Sequence, residues 1–308
     1  MRREGSTPTE LLRGAVRVSG VPGAARVEAG GRGGCLEVRR LTAEDEPRAL
    51  AFLRREPLSN FLMIGLMREH GVESRHNRGP FYGCTKGGEL VGVALLGEWF
   101  LTSGSRASLP LFARAARRLH AGRVRVVILK EGEESKFARV YGGGVQQRET
   151  QALLVRECDD EEAAAFAPLR PAEPFELEEV ARAHVRACAE SNVSDPSERD
   201  PEGFRRRLLA RIQSGRVWVV SDEGGRVIFK TDIAVETEEA AYLEAVWTAP
   251  DFRGQGLGAR AVRELTRRLL TCYRAVCLFA DADKPHLLRF YQRLGFRIHS
   301  RYRLLRYE

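Results

Sequence analysis

The sequence predicts a mixed α/β protein made of two tandem copies of one layered unit. Three observations carry that expectation. Short β-branched runs alternate with amphipathic helical runs along most of the chain, and the second half repeats the order of the first. The ends of the halves also resemble each other. Arg289-Phe-Tyr-Gln-Arg-Leu-Gly295 is followed nine residues after its glycine by Leu304-Leu305, and Arg139-Val-Tyr-Gly-Gly-Gly144 is followed at the same offset by Leu153-Leu154. Between the halves, acidic residues from Glu157 to Glu162 and Pro168, Pro171 and Pro174 interrupt any regular element.

The expected organisation is a disordered leader over 1–34, a first domain over 35–157, a linker over 158–175 and a second domain over 176–308. The leader is rich in Arg and Gly and has too little apolar surface to offset chain entropy. It has no apolar stretch of the secretory type.

In the first half, alternation predicts strands at 36–40, 81–85 and 90–96, the last two joined by Lys86-Gly-Gly-Glu89. Thr42-Ala-Glu-Asp45 reads as a capping box opening a helix through Leu53, and a second helix covers Leu58 to His70. A basic amphipathic helix over Ser108–His120, a strand over 124–129, a helix over Glu134–Tyr141 and a strand over 151–155 complete it. The second half reads as helices at 176–189 and 201–213, then strands at 216–221, 226–234 and 241–248. A long helix over 256–270, a strand over 275–279, a helix over 285–294 and a strand over 302–307 follow.

Composition excludes several classes of function. With 43% hydrophobic residues over 308 positions, each half can have a core, yet no apolar run approaches the roughly 18 residues that span a bilayer. The six cysteines lack CxxC or His-rich spacing, which argues against zinc and against a disulfide framework, and fits thiols in a reducing cytoplasm. The net charge of +8 is spread along the chain, only five of the fifty basic residues are Lys, and no nucleic-acid-binding signature accompanies it. Nucleic acid and membrane are therefore not expected partners. The six histidines show no metal-site spacing, and no metal is expected.

The chemistry is concentrated in Tyr242-Leu-Glu-Ala-Val-Trp-Thr-Ala-Pro-Asp-Phe-Arg-Gly-Gln-Gly-Leu-Gly-Ala259. It reads as strand, tight loop and helix. Free amides of the helix start and the positive end of its dipole converge where Gly254, Gly256 and Gly258 leave room for a bulky anion. The dinucleotide GxGxxG is absent because residue 261 is Ala, and no Walker Lys-Ser/Thr pair is present. On this evidence a plain glycine-rich turn stays open.

The motif Arg-x-x-Gly-x-Gly after a strand ending in Thr-Ala-Pro, with Phe290-Tyr-x-x-x-Gly-Phe296 about 30 residues on, resembles the GNAT superfamily of acetyl-CoA-dependent N-acetyltransferases. The likeness is specific over 216–300, weaker over 165–215 and topological over 36–156. It implies two tandem GNAT-like domains, each a central mixed, mostly antiparallel sheet flanked by helices, the first one degenerate. It also implies acetyl-CoA as co-substrate and an amine as acceptor. Gln255, Gly256, Leu257, Gly258 and Ala259 match the loop whose amides hold the coenzyme pyrophosphate, with Gly254 inside it and Arg253 as its first basic residue. Val246, Trp247 and Thr248 match the strand end that pairs with the pantetheine arm. Tyr291 matches the tyrosine beside the sulfur, which can protonate the leaving thiolate, and Phe290 packs next to it. The family usually has Asn where this chain has Lys284, so Lys284 either meets a coenzyme phosphate or is simply exposed.

Attack on a thioester needs a neutral amine, so a carboxylate should help deprotonate an ammonium whose pKa is near ~10. Strand alternation places Tyr242, Glu244, Val246 and Thr248 on one face, which makes Glu244 the expected base. A solvated or ion-paired strand residue is the plain alternative, and Asp232 and Glu236 are weaker candidates for the base. In the first half, the segment 98–110 lacks the glycine motif and is expected to bind no pyrophosphate. Three other readings stay open: a coenzyme A sensor without catalysis, a transferase using another acyl or aminoacyl donor, and a basic nucleic-acid-associated protein.

Overall fold

The computed structural model describes residues 27–29, 36–119, 122–157, 165–190 and 195–307. The chain forms two compact units whose boundaries fall inside two strands. The first unit draws on Ala15–Gln151 and Ser300–Glu308, and the second takes Ala152–His299. Of the leader expected over 1–34, only 27–29 are described, and they form a strand.

The first unit contains β1 (Val27–Ala29), β2 (Leu36–Arg40), β3 (Phe81–Lys86), β4 (Glu89–Leu96), β5 (Trp99–Gly104) and β6 (Val126–Lys130). It also takes the start of β7 (Val145–Arg156) and the end of β13 (Arg297–Tyr307). The strand order is β1-β2-β3-β4-β5-β6-β13-β7. Pairs from β1 to β5 are antiparallel, β5 and β6 are parallel, and β13 runs antiparallel to β6. Its helices are α1 (Glu46–Leu53), α2 (Pro57–His70), α3 (Ser108–Leu119) and α4 (Glu134–Tyr141).

The Thr42/Asp45 capping box forms at the turn before α1. Asp45 also accepts two bonds from Arg39, at 2.7 and 2.6 Å. The Arg39 guanidinium holds the Asp45 carboxyl well below the usual carboxylate range. Helix α3 buries Leu109, Phe112, Ala113 and Ala116 and leaves Arg114, Arg117 and Arg118 exposed. That is the 3.6-residue period expected for a helix lying on a sheet. Phe100, Phe112, Phe137 and Leu305 share the core beneath it. One expectation changes: Trp99–Gly104 is a strand, not part of a connection. Its Trp-Phe-Leu run is too short to be separated by periodicity from the strand just before it.

The second unit contains β8 (Arg170–Pro171), α5 (Leu177–Glu190), α6 (Pro196–Arg199), α7 (Pro201–Gln213), β9 (Val217–Ser221) and β10 (Val227–Glu236). There follow β11 (Ala240–Thr248), α8 (Leu257–Leu270), β12 (Ala275–Asp281) and α9 (Pro285–Gln292). The order is β7-β12-β11-β10-β9-β8. Strands β9, β10 and β11 are antiparallel, and α8 carries the chain from β11 to its parallel neighbour β12. The segment expected to be an irregular linker contains β8, because Arg170 and Pro171 pair with Val219 and Trp218 at a sheet edge, where proline is tolerated. Residues 158–164 of that linker lie outside the described residues. Ala261, Val262, Leu265 and Leu269 lay one face of α8 on the core around Phe229, Leu243 and Leu278.

Glu264, also buried on α8, accepts from Arg267 and from Arg268 (3.0 and 2.6 Å). The Arg267 bond, reinforced by Arg268, overcomes desolvation and pulls its carboxyl down to about 2. A folded value below the unfolded one adds stability above the ordinary carboxylate value. That stability is lost as pH falls toward the folded value. Glu264→Gln should therefore cost about 1 kcal/mol at neutral pH, discounted because both arginines are partly solvated. It should also flatten the fall in Tm between roughly pH 5 and 2. Equal acid sensitivity in variant and parent would remove Glu264 from the acid response.

Candidate active site

Strands β11 and β12 pair in parallel from Ala240↔Ala275 to Leu243↔Leu278. Beyond that point β11 runs on to Thr248 and β12 to Asp281 without further pairing. The cause lies in the next residue but one. Ala245 has φ +49°, and among the described residues no other non-glycine has a positive φ. Asp232 faces Glu244 while Lys230 faces Trp247, so three steps on β11 span two on β10. This is a bulge, and it bends the strand away from its neighbour. The two parallel strands thus part at their carboxyl ends, the place where open α/β sheets hold ligands. Half-buried Val246 and Thr248 lie on the β11 side of this opening. The simple alternation expected from Tyr242 to Thr248 is therefore interrupted at Ala245, a break that no residue type announces.

The loop after β11 is built to present backbone. Arg253, Gly254, Gln255 and Gly256 are exposed. Gly256 is the N-cap of α8 in the left-handed conformation (φ +78°) and gives the helix no side-chain cap. The first-turn amides of Leu257, Gly258 and Ala259 precede the first intrahelical bond, which Arg260 N–H donates to Gly256 at 3.0 Å. At Gly258 a Cβ would lie 2.8 Å from Thr248 Oγ1, so glycine is what lets the helix start lie against the strand end. A pyrophosphate fits this cradle: open amides, a helix dipole and, at Gly254 and Gly256, no atom within 4 Å of an added Cβ.

The other expected residues fall as follows. Leu257 is buried, and Gln255 Nε2 donates to the Asp251 carbonyl at 2.9 Å, bracing the loop. Trp247 is buried in the core, its Nε1 donating to Glu190 at 3.2 Å. Arg253 forms an ion pair with the same Glu190 at 2.5 Å, and its Nε donates to the Thr248 carbonyl at 2.9 Å. Lys284 lies 3.8 Å from Asp281 and is partly buried. Tyr291 is 8% exposed, with Phe290 and Phe296 edge-on at ring distances of 5.0 and 5.9 Å. Its hydroxyl has no hydrogen-bond partner among the described residues, and burial pushes its pKa up, so the phenol keeps its proton at neutral pH.

Glu244 is 3% exposed and bound to Arg211 at 3.0 Å. Arg211 also lies 3.6 Å from Asp232, which is paired with fully buried Lys230 at 2.5 Å. Sequence reasoning missed this network of two cations and two carboxylates, because Arg211 comes from a helix surface that its own sequence marks as solvated. Removing the arginine would take a cation away from two buried carboxylates. Arg211→Ala should cost about 3 kcal/mol in urea unfolding, and an unchanged midpoint would show the network to be energetically idle. Glu190 was missed for the same reason.

Among the described residues no group of His, Cys, Asp and Glu could hold a metal ion, and no helix is long and apolar enough to cross a membrane.

Residues 213–298 match the family model described as acetyltransferase (GNAT) domain. No curated protein matches the chain. Among solved structures, a GCN5-related N-acetyltransferase from Sphaerobacter thermophilus aligns over 88% of this chain and 95% of its own (14% identity, TM-score 0.61). A GNAT-family acetyltransferase from Colwellia psychrerythraea aligns over 88% and 99% (10% identity, TM-score 0.58). A tandem GNAT protein from the clavulanic acid biosynthesis pathway aligns over 88% and 97% (16% identity, TM-score 0.54). At these identities the structural likeness is one of fold. The matched stretch lies within the second unit, and a GNAT-like fold supports a general acyltransferase function.

Proposed function

We propose that the protein is an N-acetyltransferase that transfers an acetyl group from acetyl-CoA to a primary amine by direct attack. In this reading the second unit, Ala152–His299, is catalytic and the first unit is a degenerate copy, in place of the bounds 176–308, 35–157 and 158–175 expected from the sequence. The observation that carries it is the conjunction of a splayed strand pair, an uncapped glycine-rich helix start and a buried, proton-holding tyrosine within one unit. The first unit offers a poorer cradle. Its α3 follows Ser105-Arg-Ala107, with no glycine motif at the helix start.

When bound, acetyl-CoA supplies the activated thioester. The amides of 255–259 would hold its pyrophosphate, with Arg253 and Gly254 shaping the loop, and the β11 backbone from Val246 to Thr248 would hold the pantetheine arm. Lys284 is assigned to the rim of that site and Phe290 to packing beside it. Tyr291 donates its proton to the departing sulfur. Glu244 is assigned the base role, removing the ammonium proton directly or through water. A cytoplasmic setting belongs to the proposal, and Cys84, Cys188, Cys272 and Cys277 are all free thiols.

Thiol release from acetyl-CoA should require both protein and an amine from a mixed panel of small amines, peptides and proteins. Coenzyme binding without amine-dependent release would favour a sensor, and release only from longer acyl-CoAs would change the donor.

A further inference from the structure

We propose that Glu190, the last residue of α5, is the positioning residue that sets the conformation of the coenzyme loop. The inference rests on the reading of that loop as a coenzyme site. Its carboxylate makes two bonds that meet on opposite sides of the turn. Oε1 accepts from Trp247 Nε1 at 3.2 Å, and Oε2 accepts from Arg253 Nη2 at 2.5 Å. Arg253 in turn donates through Nε to the Thr248 carbonyl at 2.9 Å. One side chain from a helix thus fixes Trp247 near the end of β11, the arginine that opens the loop and, through it, the Thr248 carbonyl.

This changes the role of Arg253. Two of its nitrogens are already committed to protein oxygens, so its first task is to brace the loop. Anion affinity then comes mainly from the backbone amides that the brace keeps aligned. The bare ion pair is half-exposed and would add little as an attraction. Its effect is geometric, because amides that must be ordered on binding bind more weakly than amides already in place.

Glu190 could instead compete with the coenzyme for Arg253, and the two roles predict opposite signs. Glu190→Gln keeps an acceptor for Trp247 and removes the ion pair. It should weaken binding of coenzyme A, measured by titration calorimetry, about five- to tenfold, and raise KM for acetyl-CoA without a matching fall in kcat. In the ligand-free protein it should also speed amide hydrogen exchange over 253–258. In an Arg253→Gln background the same change should have little further effect on either readout. Tighter binding in Glu190→Gln would make Glu190 a competitor and overturn the proposal, as would unchanged affinity with unchanged exchange. If the parent protein binds no coenzyme A, the coenzyme reading itself fails and this proposal with it. The exchange measurement then still reports whether Glu190 orders the loop, so the two failures stay distinguishable.

Discussion

Tyr291→Phe is expected to lower kcat roughly 100-fold, the scale of a lost general acid, while coenzyme A affinity changes less than about twofold. The substitution keeps the ring that packs between Phe290 and Phe296, so the core around it should be undisturbed. Only the hydroxyl is lost. Burial raises the pKa of that hydroxyl, and the phenol therefore stays protonated throughout the working pH range. The rate should show no basic limb from Tyr291 at or below its ordinary value near ~10. Steady-state kinetics with a fixed amine, alongside calorimetry with coenzyme A, read the two quantities separately. Turnover within about twofold of the parent would end the acid assignment and leave Tyr291 as a core aromatic.

Deleting residues 300–308 is expected to unfold the first unit. The end of β13 lies between β6 and β7, registered from Tyr302↔Lys130 to Arg306↔Val126. Leu304 and Leu305 are 0% and 2% exposed, and removing even one such side chain typically costs about 2–5 kcal/mol. Arg303 and Arg306 also pair with Glu131 and Glu149 (3.0 and 3.3 Å). Losing an interior strand exceeds the roughly 5–15 kcal/mol that holds a domain together. Amide exchange across β6 and the start of β7 should rise to unfolded rates. Persistent protection there would show that the first unit closes without its last strand.

Most elements were legible because local chemistry declares them. The Thr42/Asp45 box, the turn at Lys86-Gly-Gly-Glu89 and the apolar stripe of α8 each depend on neighbours in sequence. The glycine loop was readable for the same reason, since Gly256 and Gly258 each answer a local backbone demand. The contacts made at long range were not readable. Arg211 reaches Glu244 across 33 residues and Glu190 reaches Arg253 across 63, and an arginine or glutamate on a helix looks the same whether it meets water or a partner. The Ala245 bulge was equally silent, because alanine carries no signal for a positive φ. The end of β13 reads as a strand, but pattern alone does not say which neighbours it joins.

A crystal structure with acetyl-CoA tests the central claim most directly. The pyrophosphate should lie on the amides of 255–259, the arm along Val246–Thr248 where β11 and β12 part, and the sulfur within reach of the Tyr291 hydroxyl. A coenzyme bound elsewhere on the chain, or a thioester turned away from Tyr291, would contradict it.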